Sequence, residues 1–284
     1  MAAQITASMV KELRDRTGVG MAKCKEALNE SKGDMDLAIA HLRKTGMASA
    51  VKKESREAKE GLIITQENEK YIALVEINAE TDFVVKNENF QKFSRNIASE
   101  ILNANPRDVE TFKKQPYSQD SSMDIDGYRA SIVQSLGENV QIKRFLCLPK
   151  EECSLGVYSH MEGKIVALIF LEGNSEANDL AKDIAMHVAA EAPDYISPEE
   201  VPSEVKSHEE DIAKTQALSS GKPQHIIDKI VEGKLNAYYD QTCLLRQKFV
   251  KDGELSIDEL LKKYAKENGS LLNVKRFVRW KVGN

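Results

Sequence analysis

The sequence predicts an α+β fold in which a small helical module precedes a core of mixed strand and helix. Three observations carry that reading. Apolar residues recur at helical spacing through the first 45 residues. A strand–loop–helix–proline pattern occurs twice between residues 62 and 193. A helical stretch at 199–240 is broken once, by Ser219-Ser220-Gly221-Lys222-Pro223, a stop–turn–start signal.

Thr6 can cap a first helix that carries Met9, Val10 and Leu13 on one face, and Thr17-Gly18-Val19-Gly20 ends it. A second helix runs from about Met21 to Ser31, with Met21, Cys24, Ala27 and Leu28 on one side and Gly33 as its stop. Asp34 caps a third, with Leu37, Ala38 and Leu42 apolar. Three such helices suit a partner-binding module over residues 1–47. Residues 48–60 are dense in charge and read as a solvated helical linker. Glu54, Glu57 and Glu60 interrupt its lysines, which argues against a nucleic-acid segment.

After Gly61 the pattern changes to a β-hairpin, Leu62–Thr65 and Tyr71–Ile77. A helix follows with Phe90, Phe93, Ile97 and Ile101 along one stripe, ending near Pro106. Residues 103–127 are rich in turn formers and read as irregular in part. A short helix over Tyr128–Leu136 stops at Gly137. Strands are expected at Val140–Leu148, Leu155–His160 and Ile165–Leu171, then a helix from Ala177 to Glu191 before Pro193. Residues 199–240 form an antiparallel helical hairpin of coiled-coil type. Val205, Ile212 and Ala213 lie on one arm, and Ile226, Ile227, Ile230, Val231 and Leu235 on the other. Ser256-Ile257-Asp258-Glu259 is a capping box opening a last helix, which Gly269 ends, and Val274–Val282 is a final strand. Strands 140–148 and 274–282 both open on Asn-Val and run into Lys, Arg and aromatic residues, so they are expected to share one sheet. The core then divides into residues 61–138 and residues 139–198 with 241–284, the hairpin at 199–240 being an insertion.

The repeat is specific enough to locate a departure from itself. Ala73, Leu74, Val75 and Ile77 match Ala167, Leu168, Ile169 and Leu171 at an offset of 94. Phe93, Ile97, Ala98, Ile101 and Pro106 match Leu180, Ile184, Ala185, Val188 and Pro193 at an offset of 87. The difference puts seven additional residues in the first strand-to-helix loop, which contains Ala79-Glu80-Thr81-Asp82-Phe83-Val84-Val85-Lys86. A long loop carrying a Phe reads either as a site on a rigid scaffold or as a segment that tucks Phe83 back against the core.

Composition excludes several classes. The 284 residues are enough for two or three domains, with 41% hydrophobic and 30% charged content, as in ordinary globular chains. Lys and Arg number 40 against 45 Asp and Glu, a net charge of −5 that offers no clustered basic excess for phosphate backbones. The longest apolar run, Ile165–Leu171, is too short to span a bilayer, and no basic segment with an apolar core opens the chain, so the cytosol is expected. Cys24, Cys147, Cys153 and Cys243 show no metal-ligand spacing and read as free, mostly buried thiols. His41, His160, His187, His208 and His225 are scattered, and no phosphate loop, dinucleotide fingerprint, zinc-protease motif or nucleophile elbow is present. The sequence therefore predicts no catalytic residues, no metal and no cofactor.

Two segments resemble signatures of the elongation factor Ts family. They are Leu13-Arg14-Asp15-Arg16-Thr17-Gly18-Val19-Gly20-Met21-Ala22-Lys23-Cys24-Lys25-Glu26-Ala27-Leu28 and Glu76-Ile77-Asn78-Ala79-Glu80-Thr81-Asp82-Phe83-Val84. Ile184-Ala185-Met186-His187-Val188-Ala189-Ala190 with Pro193 and Tyr195 is similar to a third, as is Gly221-Lys222-Pro223 with Ile230-Val231-Glu232-Gly233-Lys234 to a fourth. The matches run in order along the chain. The resemblance implies a ubiquitin-associated-like N-terminal module, a core of two α+β subdomains and a helical-hairpin insertion. It also implies a guanine-nucleotide exchange factor, not an enzyme of covalent chemistry, that binds elongation factor Tu in its GDP-bound and nucleotide-free states. It implies no direct nucleic-acid contact and no membrane, and it leaves homodimerisation open.

Within that resemblance the loop Thr81, Asp82, Phe83 and Val84 enters the partner's Mg²⁺ and phosphate site. Phe83 acts as an aromatic wedge and Asp82 disturbs the groups that hold the metal. Arg14, Met21 and Lys25 of the module, Leu136 and Gly137, His160 and Val250 correspond to partner-facing positions. Met21 also reads as core, Gly137 as a helix cap and His160 as a solvated turn residue. Ala22 stands where a second Met is common and Val85 where a small residue is usual, both tolerable changes. The chain stops at Asn284, so contacts through the further C-terminal helix of some family members are not expected. Two other classes compete. An enzyme could pair Asp82 with His160 or His187 but lacks the rest of a site, and an adaptor built on the module and hairpin has no need of the Thr-Asp-Phe-Val loop.

Overall fold

Side-chain caps open the first and third of the three helices of the N-terminal module, where Thr6 and Asp34 accept from the N–H groups of Met9 and Leu37 at 3.3 and 2.9 Å. In the computed structural model, which describes residues 5–218 and 223–284, these helices are α1 (Ala7–Thr17), α2 (Met21–Glu30) and α3 (Met35–Lys53). Val10, Leu13, Val19, Cys24, Ala27, Leu28, Ala38 and Leu42 close on one another as the module's own core. The third helix is longer than its apolar pattern suggests. It runs through Gly46, where a Cβ would come within 3.0 Å of the Gln134 side chain, and buries Ala50 in the following core. Of residues 48–60, expected to be a solvated helical linker, those up to Lys53 are helix, and the irregular stretch that follows is short, because β1 starts at Glu60.

The first unit continues with β1 (Glu60–Glu67), β2 (Tyr71–Ala79), α4 (Asp82–Val85), α5 (Glu88–Ala104), α6 (Val109–Lys113), β3 (Pro116–Tyr117), β4 (Asp120–Asp124), α7 (Ile125–Leu136) and β5 (Val140–Pro149). Residues 103–127 are therefore better ordered than their turn formers suggest. The sheet order is β1-β2-β5, with both pairings antiparallel. Central β2 is buried from Ile72 to Ala79, and the α5 stripe Phe90, Phe93, Ile97 and Ile101 is fully buried in the same core. Each such side chain contributes roughly 1.5–3 kcal/mol of apolar burial. The charge of buried Glu76 is met by Arg144 Nε at 2.7 Å and by the Gly283 N–H at 3.0 Å.

The second unit contains β6 (Cys153–His160), β7 (Ile165–Glu172), α8 (Asn178–Glu191), α9 (Ser203–Leu218), α10 (Gln224–Thr242), β8 (Lys248–Phe249), β9 (Asp252–Ser256), α11 (Ile257–Asn268) and β10 (Asn273–Lys281). Its sheet order is β10-β7-β6. Gly156 lets α8 lie directly on β6, since a Cβ there would sit 2.1 Å from the Ala181 carbonyl carbon. The helical hairpin is fastened at its base. Asp194 and Tyr195 donate to the Thr242 carbonyl at 2.9 and 3.2 Å, and the Leu244 N–H donates to the Tyr195 carbonyl at 2.9 Å. Of the turn predicted at its far end, Ser219 to Lys222 lie outside the described residues. Among the described residues no helix is long and apolar enough to cross a membrane. All four thiols are free; Cys24 and Cys243 are buried, Cys147 and Cys153 only half so, and burial pushes each above its ordinary pKa.

Strands 140–148 and 274–282 do not share a sheet. β5 pairs with β2, whereas β10 lies beside β7. The first compact unit runs to Pro149 and takes in residues 162–164 and 281–284. The reason is the repeat, which extends further than the sequence reading took it. Pro116, Tyr117, Asp124, Ile125 and Gly137 correspond to Lys248, Phe249, Ser256, Ile257 and Gly269 at an offset of 132. Both halves are wired strand, strand, helix, two-stranded ribbon, helix, strand. β5 and β10 look alike because each closes its own three-stranded sheet.

Candidate functional site

Between β2 and α5 the chain makes the single turn α4, which carries the exposed aromatic. Thr81 caps it, its hydroxyl oxygen accepting from the Val84 N–H at 3.4 Å. Val84 and Val85 are buried in the core, and the Val85 carbonyl accepts from the Gln91 side chain at 2.7 Å. Phe83 points the other way and is 82% exposed. The alternative in which it folds back onto the core is therefore not what the chain adopts. Asp82, half-buried, meets Lys86 at 3.4 Å. A large aromatic left in water on a short, doubly anchored turn is the least expected feature of this surface, because soluble chains usually cover a ring of that size.

The turn is also tied to the segment that follows α7. Glu138 takes the Thr81 N–H on one carboxylate oxygen at 3.0 Å and the Thr81 hydroxyl on the other at 2.7 Å. In the reverse direction the Glu80 carboxylate accepts from the Asn139 N–H at 2.6 Å and meets Arg56 at 3.5 Å. Asn139 in turn donates to the carbonyls of Glu54 and Arg56 at 3.3 and 2.8 Å. Lys53 stands within electrostatic reach of Glu80 and Glu138; desolvation, with Lys23 and Arg56, still holds its amine below the ordinary lysine range.

The end of α7 meets the module as well. Ser135 donates to the Gly18 carbonyl at 2.6 Å, and Gln134 donates to the Thr45 hydroxyl at 3.0 Å. Gly18 caps α1 with φ 67°, a conformation that favours glycine. Leu136 is half-buried, and Gly137, at φ 82°, caps α7 with nothing beside it. Met21 is 43% exposed at the start of α2, with exposed Lys25 one turn on, and Arg14 is exposed in the last turn of α1. Within the first unit the structure thus links Gly18, Ser135, Leu136, Gly137, Glu138, Thr81, Asp82 and Phe83 in one chain of contacts and neighbours.

His160 and Val250 belong to the second unit. His160 is exposed at the end of β6, its ring stacked on Tyr158 with centroids 6.1 Å apart. Val250, 46% exposed, lies in the turn between β8 and β9. Its N–H donates to Nδ1 of His187 at 3.2 Å, and Nε2 of the same fully buried ring meets Gln247 Oε1 at 3.0 Å. That pairing fixes the proton on Nε2 and leaves neither nitrogen for an acid–base partner. Burial lowers the pKa of His187 below the ordinary imidazole value, against the opposing effects of the Gln247 bond and Glu191.

Among the described residues no group of three or more His, Cys, Asp or Glu is placed to hold a metal. The contacts that sequence reasoning missed are Glu138, Ser135 and the link from His187 to Val250. Only Glu138 had a usable signal, an acid just before the start of β5 that falls opposite Thr81, and it needs the β2–β5 pairing to be seen.

A family model described as "Elongation factor TS" matches residues 80–284. Over 282 residues the chain is 59% identical to "Elongation factor Ts" of Protochlamydia amoebophila (strain UWE25), covering 99% of each. It is 46% identical over 275 residues to the protein of that name in Chlamydia muridarum, covering 96% of this chain and 97% of the relative. The same name and coverage apply in Chlamydia pneumoniae, at 45% identity.

Proposed function

The chain belongs to the elongation factor Ts family, and from that we propose that it acts in translation elongation as a guanine-nucleotide exchange factor for elongation factor Tu. It binds the GDP-bound partner, drives GDP out without covalent chemistry, and releases the partner for reloading with GTP. The exposed Phe83 on its anchored turn carries this reading. An 82% exposed ring that the chain holds out, just ahead of two valines it buries, suits insertion into another protein better than any role in this fold.

Mg²⁺ bridging the nucleotide phosphates is among the largest local charges in the partner's site, so groups that disturb its supports loosen the nucleotide without touching the base. Phe83 wedges between partner side chains there, and Asp82 brings a carboxylate to the groups around the metal. Thr81 and Val84 set the turn. Arg14, Met21, Lys25, Leu136 and Gly137 give the partner further surface on the first unit, and His160 and Val250 do so on the second. Coupling is reciprocal: a factor that weakens GDP binding is itself held less tightly by the GDP form. A loosening of ~1000-fold corresponds to about 4 kcal/mol. A hot-spot aromatic contributes roughly 2–4 kcal/mol on truncation, which brings this within reach of Phe83 and the metal contacts together.

The test is release of a fluorescent GDP analogue from elongation factor Tu in the presence of Mg²⁺. The wild-type chain accelerates release strongly and Phe83→Ala loses most of that acceleration. Absence of acceleration by the wild type would overturn the function. Full acceleration by the variant would move the mechanism away from Phe83.

A further inference from the structure

We propose that Glu138 is a positioning residue for nucleotide exchange, acting through Thr81 to hold the Asp82–Phe83 turn in the orientation that drives release. The proposal rests on the exchange reading above. Its own observation is the pattern of bonds where the β2–β5 ladder ends. The last backbone pair is Ala79 with Val140. One step beyond, the strands exchange side-chain bonds in place of backbone ones: Glu80 takes the Asn139 N–H, and Glu138 takes both the N–H and the hydroxyl of Thr81. Two carboxylates thus carry the pairing past the end of the sheet, each reaching from its own strand to the backbone of the other.

The Thr81 hydroxyl works in both directions. It donates to Glu138 and accepts from the Val84 N–H, so the carboxylate connects through one side chain to the turn that presents Phe83. Removing the carboxylate leaves the Thr81 N–H and O–H without partners at a half-buried position and frees the entry to α4, while the buried Val84 and Val85 still hold its exit. The result is a turn that stays folded and loses its aim. A wedge acts by position, and a displacement of about 1 Å at a working group can cost up to ~100-fold in rate. Glu138 directly follows Gly137, so the residues at the end of α7 and the wedge are set by one stretch of backbone.

The experiment uses the full chain with elongation factor Tu carrying a fluorescent GDP analogue. Release is followed over a range of factor concentrations to separate the maximal rate from half-saturation. Glu138→Ala lowers the maximal rate about tenfold, roughly 1.4 kcal/mol, and moves half-saturation by less than about twofold. Glu138→Gln loses about threefold, because its amide oxygen still accepts from the Thr81 N–H. In a Phe83→Ala background, Glu138→Ala adds less than about twofold, since an absent wedge cannot be misplaced. Hydrogen exchange of the segment 80–87 in the free protein is faster in Glu138→Ala. If that variant does not unfold cooperatively, Glu138→Gln carries the same three comparisons. A wild-type maximal rate in Glu138→Ala, an equal loss with and without Phe83, or unchanged exchange over 80–87 would each overturn the proposal. A Phe83→Ala protein as fast as wild type would instead overturn the reading on which it rests.

Discussion

Phe83 and His187 show how differently single residues are specified here. Phe83 touches little in the fold, so truncating it is expected to leave the structure intact. Phe83→Ala is expected to unfold in urea within about 0.5 kcal/mol of wild type while losing exchange. His187 is the converse, fully buried and bonded at both nitrogens. Its folded pKa is depressed by desolvation, so below about pH 6.5 the unfolded chain binds a proton that the folded chain resists. Stability therefore falls as pH drops from about 6.5 toward the folded value, and the fall is absent above it. In urea titrations followed by circular dichroism at pH 7 and pH 5.5, wild type should lose more stability than His187→Gln, which has no proton to gain at that site. Equal losses would mean that this ring is not the group responsible.

At the scale of elements, close approach decides what a substitution costs. Gly156 sits where β6 carries α8, and a methyl group there would overlap the Ala181 carbonyl, a backbone group that cannot swing aside. Gly156→Ala is expected to destabilise the second unit by about 3 kcal/mol, read from urea unfolding with the single tryptophan, Trp280, as reporter. A loss under about 1 kcal/mol would show that the helix can lift from the strand.

Most elements here were legible because their apolar spacing and stop signals agree. The α5 stripe, the capping box at Ser256 and the Gly137 and Gly269 stops all stand where the pattern puts them. One contact had no local signal, and one reading failed for a physical reason. Gly46 allows α3 to pack closely against Gln134 of α7, a tertiary contact that no local pattern reveals. β5 and β10 share composition because they are counterparts in a repeat, and shared composition was read as shared hydrogen bonding. The loop at Thr81–Val84 could be located from the repeat, but the exposure of Phe83 could not. Exposure depends on Val84 and Val85 taking the core, and the sequence offers three apolar residues in a row with no sign of which one faces out.

For the molecule as a whole, the halves differ mainly in where each interrupts the common wiring. The first adds seven residues between its second strand and its helix. The second raises the offset from 87 to 132, a difference of 45, and α9 and α10 occupy that position. Because the base of the hairpin is tied by Tyr195, Thr242 and Leu244, its two ends already meet. Replacing residues 203–238 by a short glycine–serine link is therefore expected to leave a cooperatively unfolding second unit, with Trp280 reporting one transition. Loss of that transition would make the hairpin part of the core. The tie at residues 195 and 242–244 also has a practical use. It is a ready-made socket, a place where the chain leaves and returns through neighbouring bonds, so a fluorescent protein or affinity tag whose own termini lie close together could be spliced in there.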